Sequence, residues 1–378
     1  MKGMQRLVWS TVMTGLILLC LGPSVAAVEA KPAAPKVEVV FCLDTTGSMR
    51  GLIEGAKQKI WSICNQIAGG KPAPDLKIGL VAYRDKGDAY VTKVFDLTDD
   101  LDAIHGHLGT FQAQGGGDNP ESVNQALFEA VNKIKWSTDD KTLRIIFLVG
   151  DAPPHMDYDE VKYPEICVQA CKKGIIINTI QCGNQASATE HWQQIAQKAE
   201  GSYAKIAQSG GVVTVRTPFD DELSKLNSEL AKTTVVYGDR ELRQRNLERK
   251  EVATGFGKAS ADAPAAADRV AALAKMRGGR VAAYDLIDNI REGKVKLADL
   301  KDDQLPEEMR KMTLKEREEY LKKLAEKREE IRAKVLELDK KRREFIAKKL
   351  EETKGKDGFD QQVLEMLRKQ AKKHKIDY

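Results

Sequence analysis

The sequence predicts an α/β fold: a doubly wound, mostly parallel sheet flanked by helices, followed by a charged α-helical C-terminal region. Three observations carry this. Short apolar, β-branched runs alternate with helical segments up to about residue 236. Two of those runs end in an aspartate, Asp44 and Asp151. Beyond residue 236 the strand-like runs cease and charge rises, with 24 Lys+Arg against 19 Asp+Glu in residues 301–378.

Taken in order, Lys2 and Arg6 precede an apolar run from Leu7 to Leu21 and then the small-residue stretch Gly22-Pro23-Ser24-Val25-Ala26-Ala27. That order is a secretory signal, with cleavage after Ala26, Ala27 or Ala30. The run is shorter than the ~20 residues of a membrane-spanning helix. Residues 1–30 are therefore expected to direct the protein out of the cytoplasm, to the periplasm if the source is bacterial. The alternative is an uncleaved N-terminal membrane anchor. Residues 31–36 read as a tether.

Val37 to Leu43 is a buried strand, Thr45-Thr46-Gly47-Ser48 is turn chemistry, and Leu52 to Ile67 is helical. Lys77 to Tyr83 and Val91 to Leu97 form a hairpin. Leu101 to Phe111 is a helix, and after Gly115-Gly116-Gly117 a further helix opens at Pro120 and runs to about Ile134. Leu143 to Val149 is the most apolar strand. A helix through Cys167 and Cys171 stops at Gly174, followed by a strand from Ile175 to Ile180. Trp192 to Ala199 is helical, Tyr203 to Ile206 is a short strand, and Phe219 to Leu230 is the closing helix.

Residues 37–236 thus form one domain. Residues 237–280, charged and then Ala-rich, read as a linker with partial helix. Residues 281–378 are the helical C-terminal region, with a long helix over about 313–353 and a last one from Phe359. Leu324, Ile331, Leu338 and Phe345 recur every seventh residue, but the companion seam reads Leu321, Arg328, Val335, Arg342, Lys349. A two-stranded coiled coil wants both seams apolar. A helix packing one stripe on its own domain is favoured over a dimerisation zipper.

The net charge of +5 over 378 residues is too weak to argue for nucleic acid. Five cysteines remain after the leader: Cys42, Cys64, Cys167, Cys171 and Cys182. They read as core residues rather than a disulfide framework or a zinc site, with a single bridge left open. His105, His107, His155 and His191 have no carboxylate or nucleophile at motif spacing and are read as surface or packing residues. Arg84 and Asp85, just after the second strand and near the top of the sheet, are candidates to line the binding face, with a solvated loop as the default reading.

Chemistry concentrates where strands end. Asp44-Thr45-Thr46-Gly47-Ser48 offers one carboxylate and two hydroxyls at alternate positions, and ligands of parallel sheets collect at the carboxyl ends of strands where the winding reverses. If Asp44 and Asp151 face each other there, they repel unless a cation lies between them. Oxygen donors select Mg²⁺, Ca²⁺ or Mn²⁺.

Asp44-x-Thr46-x-Ser48 after a hydrophobic strand resembles the metal-ion-dependent adhesion site of von Willebrand factor type A (vWA) domains, over residues Val37 to Val236. The resemblance implies a second-loop ligand six residues before Leu127, which is Glu121, and a third-loop ligand, Asp151. The family commonly has Thr where this chain has Glu121. Asp118-Asn119-Pro120-Glu121 is similar to the Asp-x-Pro-Glu stretch of integrin β-subunit I-like domains, and Asp118 is a candidate for an adjacent cation site or a helix cap.

The implied set is Asp44, Thr46, Ser48, Glu121 and Asp151 around a divalent cation with one position open to a partner's Asp or Glu. Mg²⁺ is expected, with Ca²⁺ or Mn²⁺ as alternatives; the extra charge of Glu121 tightens metal binding and tilts the balance towards Ca²⁺. The expected function is a metal-dependent protein-binding or adhesion module, not an enzyme. One alternative is a structural protein acting mainly through its helical tail. Another is a metal-dependent phosphohydrolase using Asp44, but dehalogenase-type enzymes carry a second Asp two residues on. Here that residue is Thr46.

Overall fold

The computed structural model describes residues 34–117, 119–211, 214–353 and 358–378. The proposed leader and Asp118 lie outside the described residues. Chain order is β1 (Lys36–Asp44), α1 (Arg50–Ala68), β2 (Asp75–Tyr83), β3 (Thr92–Thr98), α2 (Leu101–Gly109), α3 (Val123–Asn132), β4 (Thr142–Gly150), α4 (Tyr163–Lys172), β5 (Ile175–Cys182), α5 (Ala186–Lys198), β6 (Tyr203–Ile206) and α6 (Asp220–Lys232). There follow α7 (Arg240–Gly255), α8 (Ala263–Lys275), α9 (Leu286–Arg291), α10 (Leu314–Thr353) and α11 (Phe359–Ala371).

The six strands lie in the order β3-β2-β1-β4-β5-β6, parallel except for the β2–β3 hairpin. β1 is flanked by β2 and β4, with Cys42 beside Val81 on one side and Leu148 on the other. The chain winds one way from β1 and the other way from β4, so the reversal falls between Asp44 and Gly150, as expected for a doubly wound sheet.

Both faces of the sheet are covered, which explains the near-continuous apolar runs. Val37, Val39, Phe41 and Leu43 of β1 enter one core with α1, α6, α8 and α11. Val40 and Cys42 enter the other, with α3, α4 and α5. The alternation is the period-two geometry of a strand.

The C-terminal region takes part in the first core. Phe359 of α11 packs edge-on to Phe41, ring centroids 6.1 Å apart, and Phe41 stacks on Phe147 at 5.5 Å. Gln370 of α11 exchanges two hydrogen bonds with Asn178 of β5, 3.1 and 2.7 Å. Residues 237–280, read from composition as a linker with partial helix, contain α7 and α8, and Ala266, Ala267, Val270 and Ala271 of α8 are fully buried. Alanine is the best helix former and lets helices approach closely, so an Ala-rich run suits a packed inner helix.

α10 is one 40-residue helix. Its apolar stripe packs on its own chain: Ile331 and Val335 join the main core, and Leu321 joins a small core with Val235, Leu286 and Met309. Arg328 and Arg342, two of the three basic seam positions, are buried in ion pairs with Asp285 and with Asp220 and Asp268, whereas Lys349 is exposed. No described helix is long and apolar enough to cross a membrane.

A candidate cation site at the winding reversal

Asp44 closes β1 and is fully buried. Its Oδ1 accepts from Thr46 N at 2.8 Å and from Thr46 Oγ1 at 2.7 Å, and Thr46 Oγ1 lies 3.3 Å from Ser48 Oγ. The three side chains therefore form one linked row, rising from the buried Asp44 to the exposed Ser48. A turn of 3₁₀ helix, Gly47–Met49, carries the row into α1.

Neighbouring loops hold this row in place. Thr45 donates N–H and hydroxyl to the Tyr83 carbonyl, 2.8 and 2.9 Å, and its own carbonyl accepts from Arg84 Nε at 3.2 Å and Gln114 N at 3.1 Å. Gly47 N donates to Gly115 O at 3.2 Å. Arg84 and Asp85, expected in a solvated loop, are buried. Arg84 Nη2 donates to Gln112 O at 2.6 Å, and Asp85 accepts from Ser122 and Tyr158 hydroxyls, both at 2.8 Å. They tie the neighbouring loops together.

Glu121 arrives by a route that differs from expectation. The helix expected to open at Pro120 starts at Val123, because the backbone before it is engaged elsewhere. Glu121 N donates to Pro153 O at 2.9 Å, and Glu121 O accepts from His155 N at 3.1 Å. Glu121 and Pro154 form an isolated parallel bridge, so the second loop is zipped to the loop that begins at Asp151. Gly116 fits between: a Cβ there would sit 3.4 Å from Thr46 Cβ and 3.5 Å from Glu121 Oε1. Thr46 and Glu121 thus bracket one small space.

The electrostatics agree. Asp44 Oδ2 and Glu121 Oε2 are buried without a hydrogen-bond partner. Burial first, and then the Asp151 carboxylate, push the Asp44 carboxyl up to about 7, against the Thr46 hydrogen bonds that pull it down. Glu121 is pushed up to about 9 by burial and then by Asp44, Asp85, Asp88 and Asp151. Carboxylates so arranged are mutually repulsive, and orphaned buried oxygens are costly, unless a cation neutralises them. Asp151 is half-buried, in contrast to the fully buried Asp44. Among the described residues, no group of three or more His, Cys, Asp or Glu is itself arranged to hold a metal ion. Any cation would rely on the hydroxyls of Thr46 and Ser48 as well.

Sequence reasoning missed Gln208, which follows β6. Its Nε2 donates to Asp151 Oδ2 at 2.7 Å and to Ser48 O at 3.2 Å. It belongs to no motif. All five described cysteines are free, four of them buried. His105 packs against Trp61 and Phe256, His107 stacks on Phe95, and His155 stacks on Tyr158 at 3.7 Å while its Nδ1 pairs with Asp157 at 2.8 Å.

An open α/β sheet with oxygen-rich loops at its winding reversal defines the class, and residues 38–218 match the family described as von Willebrand factor A domain. This part of the chain is similar to vWA domains. A 119-residue stretch, 32% of the chain, is 26% identical to an ariadne-like RING finger protein of Acanthamoeba polyphaga mimivirus and spans 11% of that protein's length. Similar solved structures include proximal thread matrix protein 1 of the mussel byssus with a zinc-occupied MIDAS motif (16% identity, 46% of this chain, 42% of that chain, TM-score 0.35). Others are the SpRpn10 VWA domain (16%, 46% and 89%, TM-score 0.36) and BatB from Bacteroides thetaiotaomicron (16%, 46% and 91%, TM-score 0.33).

Proposed function

We propose that the protein is a non-enzymatic, cation-dependent protein-binding module acting outside the cytoplasm. Asp44, Thr46, Ser48, Glu121 and Asp151 would hold one divalent ion, Mg²⁺ before Ca²⁺ or Mn²⁺. The ion neutralises the clustered carboxylates and, when bound, offers a vacant position to an Asp or Glu of a partner protein. The observation that carries this reading is the pair of orphaned buried oxygens, Asp44 Oδ2 and Glu121 Oε2, beside a row of hydroxyls. Protein ligands of this type are hard oxygens, matching the ions named.

The second-loop glutamate, which we take to act as in integrin β-subunit I-like domains, adds a third carboxylate. It should tighten cation binding and weaken the pull on an acidic partner. The apolar segment from Leu7 to Leu21 with its small-residue boundary supports export.

Calorimetric titration of the protein with Mg²⁺, Ca²⁺ and Mn²⁺, beside Asp44→Ala, tests the site. A stoichiometric binding event present in the parent and lost in the variant supports it. Identical traces for the two proteins would sink it.

A further inference from the structure

We infer that Gln208 is a positioning residue of the cation site, fixing the Asp151 carboxylate against the first loop through one of its oxygens. This rests on the cation-site reading above.

Gln208 is exposed, yet its amide is anchored at both ends of a span. Nε2 reaches Asp151 Oδ2 at 2.7 Å and the Ser48 carbonyl at 3.2 Å, so one side chain ties the loop after β4 to the loop after β1. Its Oε1 lies over Gly183, where a Cβ would run into it, and Gly183 has φ +74. Only glycine readily gives both the backbone and the space.

The loop carrying Gln208 is itself held. Gly183 N donates to Ile206 O and Gly210 N to Ala207 O, at 2.9 and 2.8 Å. Gly210 O accepts from Phe359 N at 2.9 Å, at the start of α11.

The amide is suited to the task by charge. Asp151 repels Asp44 and Glu121, so a free Asp151 would swing towards solvent before any ion arrived. A cationic side chain would hold it but would also oppose the ion. A neutral N–H donor holds one oxygen and leaves the other for the cation, adding no positive charge of its own. Supporting groups of this kind commonly change metal affinity 10–100-fold when removed.

The test is Gln208→Met, which keeps the length and drops the donor. We expect Mg²⁺ to bind about ten-fold more weakly in calorimetry. Ca²⁺, which tolerates irregular shells, should lose less, so the Mg²⁺/Ca²⁺ affinity ratio falls. Thermal unfolding of the metal-free variant should match the parent. Parent-like Mg²⁺ affinity would overturn the inference, as would an equal loss for both ions accompanied by lower metal-free stability. A parent protein that binds no divalent ion overturns the cation-site reading itself, which a changed variant beside a binding parent does not.

Discussion

Arg328 and Asp285 are joined by two parallel hydrogen bonds of 2.8 Å, with both side chains removed from solvent. The same guanidinium donates to Thr233 Oγ1 and O, at 2.9 and 2.8 Å. One arginine of the long helix α10 therefore fastens the end of α6 to the start of α9. Asp285 also caps α9 and accepts from Val235 N at 2.8 Å, leaving no oxygen idle.

Truncation of this arginine should be severe. Arg328→Ala leaves Asp285 buried and unpaired, a change that typically costs about 3–5 kcal/mol. Chemical unfolding should show that loss in a single transition reported alike by the sheet and the C-terminal helices, because α10 and α11 share the sheet's core. Two separate transitions in the parent would contradict such co-folding.

Gly150 offers a test of crowding at the site floor. A Cβ there would run into Tyr83 Oη and lie 3.0 Å from Asp44 Cβ. Gly150→Ala should cost about 1–3 kcal/mol, the usual range for overpacking. Adding Tyr83→Phe removes the hydroxyl and should return part of that loss in thermal unfolding. No recovery in the double variant would place the strain at Asp44 instead.

The parts of the molecule that could be read from sequence were those written locally. Asp44, Thr46 and Ser48 fall within five residues at the end of a buried strand, so chemistry and position coincide. The strands declared themselves because both sheet faces are covered. What escaped was set by distant partners. Arg342 meets Asp220 and Asp268, 122 and 74 residues away, and nothing near Arg342 announces them. A basic seam looked like a poor zipper, and its two arginines, Arg328 and Arg342, lie in buried pairs. Glu121 was expected in a helical context, whereas a backbone bridge to Pro154 delays the helix. Gln208 stands alone in a turn, and only the folded chain brings it to Asp151.

Acid should weaken the contact between α8 and α2 through Asp102. Burial alone would raise its carboxyl, but Arg269, bonded through Nε and Nη2 at 2.7 Å each, with Arg249 and His105, lowers it below the ordinary value. A carboxyl depressed in the fold contributes stability that is present above its unfolded value of about 3.9 and is lost as pH falls through the folded value. Asp102→Asn should therefore be less stable than the parent at neutral pH. The two denaturation curves should approach one another as pH drops below about 4. A gap that persists unchanged at low pH would assign the effect to packing.

Asp44→Asn separates fold from function most directly. Asp44 is fully buried, faces Asp151 and Glu121, and has one oxygen without a partner. Without an ion, its charge is a burden on the fold: like charges in a dry site repel, and removing one relieves the others. The amide keeps the oxygen that accepts from Thr46 N and Oγ1. In metal-free buffer, thermal unfolding of Asp44→Asn should therefore occur at or above the parent's temperature. Added Mg²⁺ should raise the parent's midpoint by mass action and leave the variant's unchanged. If the variant is instead the less stable protein without metal, Asp44 serves the fold, and the repulsion that argues for a cation is not felt.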